Sequence, residues 1–342
     1  MDWPSIEQHV LRRFPLPAAV QDVEFLGAAG GFSGALFWRM SIHETRWCLR
    51  AWAPDHPSPE HLAWIHDVMR HVVGRGCRMI PVPLATESGP SFVSWHARLW
   101  ELAPWLPGVA DYDRDPVLFK LQGAMRLLAE FHVAVSSFPG GETSVGPAQG
   151  LPPRLEFMNQ LDEGLLAQLW QAVRQSNGPF HADASFILTA YEQFRGDVWQ
   201  MLTEAVALPV RNHICLRDVW HDHILFQQGQ VSGLVDFGAM NVDCAAADVS
   251  RLLGSLVSDD QSGWSQGLVA YEAIRPLTEN ERTALRAYDA SSVLLSGINW
   301  LKWLLLENRQ FDSLDRVRGR LRAITRRLTA RASKPPSSDE PV

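Results

Sequence analysis

The run Leu216-Arg217-Asp218-Val219-Trp220-His221-Asp222-His223, with Asp236-Phe237-Gly238 beginning thirteen residues after it, constrains this chain more than any other feature. Between the two, Ile224-Leu225-Phe226 and Val231 to Val235 are short apolar runs flanking Gln227-Gln228-Gly229-Gln230, the pattern of a β-hairpin. Such a hairpin is expected to bring Asp218 and Asp236 near each other at one end. Two carboxylates so placed suit phosphoryl transfer, where one orients an attacking hydroxyl and the other holds the metal on the nucleotide phosphates.

Kinase loops read His-Arg-Asp-x-x-x-x-Asn, followed by Asp-Phe-Gly. This chain has Leu216-Arg217-Asp218, with His223 at the Asn position. The segment resembles the catalytic loop of the aminoglycoside phosphotransferase family, small-molecule kinases that share the protein-kinase fold. The resemblance implies a catalytic pair Arg217 and Asp218, with Asp218 orienting the hydroxyl, and a metal site of Asp236 and His223. ATP and Mg²⁺ are the implied cofactors. An imidazole at position 223 brings in Mn²⁺ as the alternative, because Mg²⁺ prefers oxygen ligands. His223 could also contact phosphate as a donor, or the second metal could be lost. The implied fold is α+β and two-lobed, with a small β-rich N-lobe over residues 1–103. A mostly helical C-lobe over 104–332 and a disordered tail over 333–342 complete it.

The N-lobe pattern is legible in outline. Residues 23–28, 35–42 and 46–53 read as strands, and 5–14 as a short amphipathic helix. Ser58-Pro59 reads as a helix start, with Leu62, Ile65, Met69, Val72 and Val73 on one stripe behind it. Further strands are expected at 82–86, 91–94 and 98–102. Glycines between the first two strands let backbone amides approach an anion. Gly30, Gly31, Ser33 and Gly34 are the candidate phosphate loop on that ground, and the loop resembles the family's. Arg50 stands where kinases place the phosphate-gripping Lys, and Glu60, ahead of Asp67, is its expected acidic partner. Trp100 to Gly108 resembles the hinge, with adenine bonded between Glu101 and Ala103. Asp248 resembles the Asp that organises the catalytic loop.

Beyond the hinge, helices are expected from Leu118 to about His132, then at 155–175, 184–205, 245–258 and 265–274. The capping box Thr278-Glu279-Asn280-Glu281 opens another, and 312–330 forms a last, basic one. Residues 138–154, rich in Pro and Gly, read as a mobile connection.

The composition narrows the partners. A net charge of −7 argues against a general nucleic-acid binder, and the basic run Arg316 to Arg331 reads as a solvated face. Cys48, Cys77, Cys215 and Cys244 form no CxxC pair, which favours reduced thiols and a cytoplasmic protein. The most apolar stretch, 293–306, is too short to span a bilayer. The expected partner is a small-molecule hydroxyl acceptor, bound by a monomer or homodimer. Family members act on aminoglycosides, choline, homoserine and sugars, so the resemblance leaves the acceptor open.

Two other classes stand beside the kinase. One is an inactive kinase-like nucleotide binder. The other is a zinc hydrolase built on His213, Cys215, His221, Asp222 and His223, whose spacings match no compact zinc motif.

Overall fold

The structure, a computed structural model, describes residues 2–28, 34–141, 143–176, 178–311 and 313–333. The chain divides into two compact units: Met1–Gly140 with His221–Met240, and Gly141–Trp220 with Asn241–Val342.

The first unit is built on an antiparallel sheet. Its strands are β1 (Val20–Gly27), β2 (Leu36–Ile42), β3 (Thr45–Ala51), β4 (Val93–Trp95) and β5 (Arg98–Pro104), in the order β1-β2-β3-β5-β4. Alternation along the strands separates two faces. Trp38, Met40, Ile42, Leu49, Ala51, Trp100 and Leu102 bury one face against Ile6, Val10, Leu11 and Phe14 of the N-terminal segment. That segment is a helix, α1 (Trp3–His9), followed by a 3₁₀ turn at Leu11–Arg13. The opposite face carries Arg50, Trp52, Leu99 and Glu101 beneath helix α2 (Pro59–Gly74). Ser58 caps α2 by accepting from His61 N at 3.2 Å, as the sequence leads one to expect.

Residues 82–86 do not form the expected strand. Pro81 and Pro83 remove alternate donors, and what remains is Leu84 N donating to Leu102 O at 2.8 Å and Thr86 N to Pro90 O. Helix α3 (Leu118–Val135) packs on α2 and on the hairpin of β8 (Ile224–Gln227) and β9 (Gln230–Leu234). These contacts group α3 and the hairpin with the sheet, so the compact units divide differently from a lobe boundary at residue 103.

The second unit is mostly helical. Its small antiparallel sheet, ordered β10-β7-β6, joins β6 (Ser144–Gly146), β7 (Val210–Cys215) and β10 (Asn241–Cys244). The connection expected at 138–154 thus contains a strand. The helices are α4 (Pro152–Gln160), α5 (Leu166–Gln175), α6 (His181–Val206), α7 (Ala245–Val257), α8 (Gln261–Glu272), α9 (Glu279–Leu301) and α10 (Leu314–Ala332). A single helix expected at 155–175 is interrupted by a π turn at Leu161–Leu165, where Gly164 has φ +137°. The capping box of α9 forms: Glu281 N donates to Thr278 Oγ1 and Thr278 N to Glu281 Oε2. Helix α10 buries Val317, Leu321 and Leu328. Its basic face is not wholly solvated, since Arg327 pairs with Asp259 and Asp289. The expected tail from residue 334 onward lies outside the described residues. No helix among the described residues is long and apolar enough to cross a membrane.

Candidate functional site

In the first unit, three of the expected residues meet. Arg50, on β3, donates from Nη1 and Nη2 to Asp236 Oδ1 at 3.3 and 3.2 Å. His223 Nε2, at the end of a short 3₁₀ turn over His221–His223, lies 3.7 Å from Asp236 Oδ2. Asp236 itself has φ +65°, a left-handed conformation that a non-glycine residue holds at a cost of about 1–2 kcal/mol. Its side chain remains 43% exposed. Burial pushes its pKa up, but the charge of Arg50, then that of His223, outweigh this and hold it below the usual carboxylate value. An ionised oxygen donor beside an imidazole nitrogen is a donor set that fits a divalent ion. Arg50 is buried, and its Nε has no hydrogen-bond partner among the described residues. A buried, unpaired guanidinium donor beside a carboxylate suits an anionic ligand.

Glu60 does not join this group. It sits in the exposed first turn of α2, almost opposite the stripe of Leu62, Ile65, His66 and Met69 that faces inward. Asp67 is exposed too and pairs with Arg70. The inward position is held by His66, whose Nε2 contacts Glu101 Oε2 at 2.9 Å.

Glu101 and Ala103 are placed differently from their expected adenine-binding role. Trp52 N donates to Leu99 O, and Trp105 N donates to Arg46 O. Register then makes Arg50–Glu101 and Cys48–Ala103 the hydrogen-bonded pairs between them, because such pairs alternate along an antiparallel ladder. The main-chain groups of Glu101 and Ala103 therefore serve β3. Gly30, Gly31 and Ser33 lie outside the described residues. Gly34, at φ +77°, is exposed, and its carbonyl accepts from Arg98 at 3.0 Å.

The second unit holds the residues expected to form the catalytic loop, Arg217 and Asp218. Asp248, fully buried at the start of α7, accepts from Leu216 N and Arg217 N at 2.6 Å each, one on each oxygen. These bonds hold Arg217 at φ +64°, where an L-residue is otherwise disfavoured. Burial raises the Asp248 pKa to about 6, against the lowering effect of the two amides. Arg217 Nε lies 3.6 Å from the buried carboxylate of Asp243, which also accepts from Gly150 N, Cys244 N and the Tyr288 hydroxyl. Asp218, half-exposed, pairs with Arg251 of α7. Asp218 and Asp236 belong to different compact units.

Sequence reasoning missed Asp243, Arg251, His66 and Trp52. The two-residue spacing of Trp52 from Arg50 on one strand face was the available signal for Trp52. Nothing local marks Asp243 or Arg251, whose loop partners, Arg217 and Asp218, are distant in sequence. Of the residues weighed for a zinc site, Cys215 is the last residue of β7. It is wholly buried, its thiol pushed well up by desolvation, and it donates to Asp243 O at 3.4 Å.

The phosphotransferase enzyme family matches residues 24–288, and the chain belongs to that family. A homoserine kinase from Gluconobacter oxydans is 26% identical over 233 residues, which cover 66% of this chain and 65% of that protein. The chain thus spans just under two thirds of that relative's length. Among solved structures, spectinomycin phosphotransferase in complex with ADP and spectinomycin superposes with a TM-score of 0.67 at 11% identity, over 96% of each chain. The GDP complex of aminoglycoside 2′-phosphotransferase-IIIa gives 0.62 at 16% identity, over 97% of this chain and 100% of that one. These likenesses show the protein-kinase-like α+β fold.

Proposed function

We propose that the chain is an ATP-dependent kinase that transfers the γ-phosphate to a hydroxyl of a small molecule. The observation that carries this reading is the pairing of Arg50 with Asp236. A cation from the third strand meets the carboxylate of the Asp-Phe-Gly turn, and the guanidinium keeps a buried donor unused. In this reading Arg50 grips the nucleotide phosphates. Asp236 and His223 hold the divalent ion, which when bound neutralises charge on the phosphates. Asp218 orients the acceptor hydroxyl and accepts its proton, and Arg217 and Asp248 keep the loop in place. Mg²⁺ is the expected ion, and the imidazole favours Mn²⁺ as a substitute. A cytoplasmic location, where ATP is abundant, fits the same reading.

Homoserine is the first acceptor to test, since the relatives with that activity match in sequence. The test is a melting experiment with ATP and either ion, followed by an acceptor screen that reads ADP formation. ATP at 100 times its dissociation constant should stabilise the protein by about 2.7 kcal/mol. No shift with either ion would sink the kinase reading. A shift with no turnover on any acceptor would favour an inactive nucleotide-binding scaffold.

A further inference from the structure

Kinases orient the phosphate-gripping cation of the third strand with a carboxylate from the following helix. Here α2 turns no carboxylate inward, for Glu60 and Asp67 are both exposed. A different group surrounds Arg50. Register places Glu101 directly across from Arg50, and Trp52, one residue past the end of β3, continues the ladder by donating from its N to Leu99 O, so the three side chains share one face. Glu101 is buried. Its Oε2 accepts from Trp52 Nε1 at 2.8 Å and meets His66 Nε2 at 2.9 Å. His66 is itself 1% exposed, and its Nδ1 is 2.7 Å from Ser91 Oγ, so both ring nitrogens are engaged.

The indole pinned in this way is the surface on which Arg50 rests. The guanidinium carbon lies 3.3 Å from the Trp52 ring centroid. The same ring abuts the metal-binding turn: a Cβ on Gly238 would stand 2.8 Å from Trp52 Cζ3. One side chain therefore touches both the cation and the turn that carries Asp236.

We infer that Trp52, held by Glu101 and His66, positions Arg50 and registers it against the Asp236-Phe237-Gly238 turn, in place of an acidic side chain on α2. The inference rests on the kinase reading, in which Arg50 binds phosphate. Trp52 is a positioning residue, since it acts through Arg50. Glu101 contributes twice, by fixing the indole and by placing a negative charge on the same face as the guanidinium. The conformation of Arg50 is then set by the indole beneath it together with its bonds to Asp236, and does not depend on an ion pair with α2.

The test is a calorimetric titration of the full chain with ATP and Mg²⁺, without acceptor. The proteins are wild type, Arg50→Ala, Trp52→Leu, the double variant and Glu101→Gln, each with its melting temperature. Trp52→Leu and Arg50→Ala should each weaken ATP binding by about tenfold, and the double variant should be no weaker than the weaker single one, as for residues acting as a unit. Glu101→Gln, which keeps the shape of the side chain, should weaken ATP in the same direction. Additive losses in the double variant, or wild-type affinity in a folded Trp52→Leu, would overturn the inference. Should Trp52→Leu lose its melting transition, Trp52→Phe keeps a ring but not the donor. A folded Trp52→Phe should lose part of the affinity, and wild-type affinity there would overturn the role given to Glu101. Wild-type protein that fails to bind ATP would overturn the kinase reading, and the inference with it, before any variant is compared.

Discussion

Asp248 accepts a main-chain hydrogen bond on each oxygen, from Leu216 N and Arg217 N, an arrangement that favours the ionised carboxylate because protonation turns one oxygen into a donor and a poorer acceptor. Burial moves its pKa from 3.8 to about 6, so protonation begins close to neutral pH. Two consequences have opposite sign. Below about pH 6 one oxygen becomes a donor, the loop loses an acceptor, and turnover should fall. Stability runs the other way. A carboxyl whose folded pKa is raised contributes stability that is fully present below its unfolded value and lost as pH rises through about 6. Asp248→Asn removes the titration. Relative to that variant, wild type should lose melting temperature between about pH 4 and pH 6.5, while its own turnover rises over the upper part of that range. A difference in melting temperature that stays flat across the range would show that Asp248 is not the titrating group. At this scale, the meeting of Asp236 with Arg50 and His223 and the bonds of Asp248 to Leu216 and Arg217 were legible because short motifs carry these residues. Glu60 was misread because its place on the helix face, and not its charge, decides what it can reach.

Strands and helices were read best where a period ran long enough to show. The β2 and β3 alternation, the α2 stripe and the α9 capping box all appear close to where the sequence puts them. The small sheet of β6, β7 and β10 was not read, because strands of three to six residues carry too little pattern. The hairpin of β8 and β9 was legible from its turn. Its loop closes with Gln228 at φ +50° and Gly229 at φ +76°, the double left-handed turn that matches strand twist. Position 229 has no need of a side chain and good reason to lack one. Gly229→Ala should destabilise by about 1–2 kcal/mol through the backbone alone. The Phe119 ring, 2.5 Å from where the new Cβ would stand, is exposed and can swing aside. A melting temperature equal to wild type would contradict the turn assignment, whereas nucleotide affinity at low temperature should change little.

For the molecule as a whole, the sequence motifs gave a kinase-like chain but not the way its segments combine. Residues 221–240 return to group with 1–140, and no periodicity announces so distant a pairing. The return has a functional reading. It puts Asp236 and His223 in one compact unit with Arg50, while Asp218, Arg217 and Asp248 stay in the other. The proposed chemistry divides along the same line, nucleotide and metal with the first set, hydroxyl activation with the second. Variants should therefore sort by unit. Asp236→Ala should abolish metal-dependent ATP binding with the fold intact, because it removes the oxygen donor and the partner of Arg50 together. Asp218→Asn should bind ATP about as well as wild type and lose turnover by about 10²–10⁴-fold, the range for a positioned base. Direct ATP titration beside turnover on the acceptor found in the screen separates the two. If Asp218→Asn lost ATP binding while Asp236→Ala kept it, the assignment of roles to the two aspartates would be reversed. Full activity in Asp218→Asn would remove the catalytic loop from the reaction altogether.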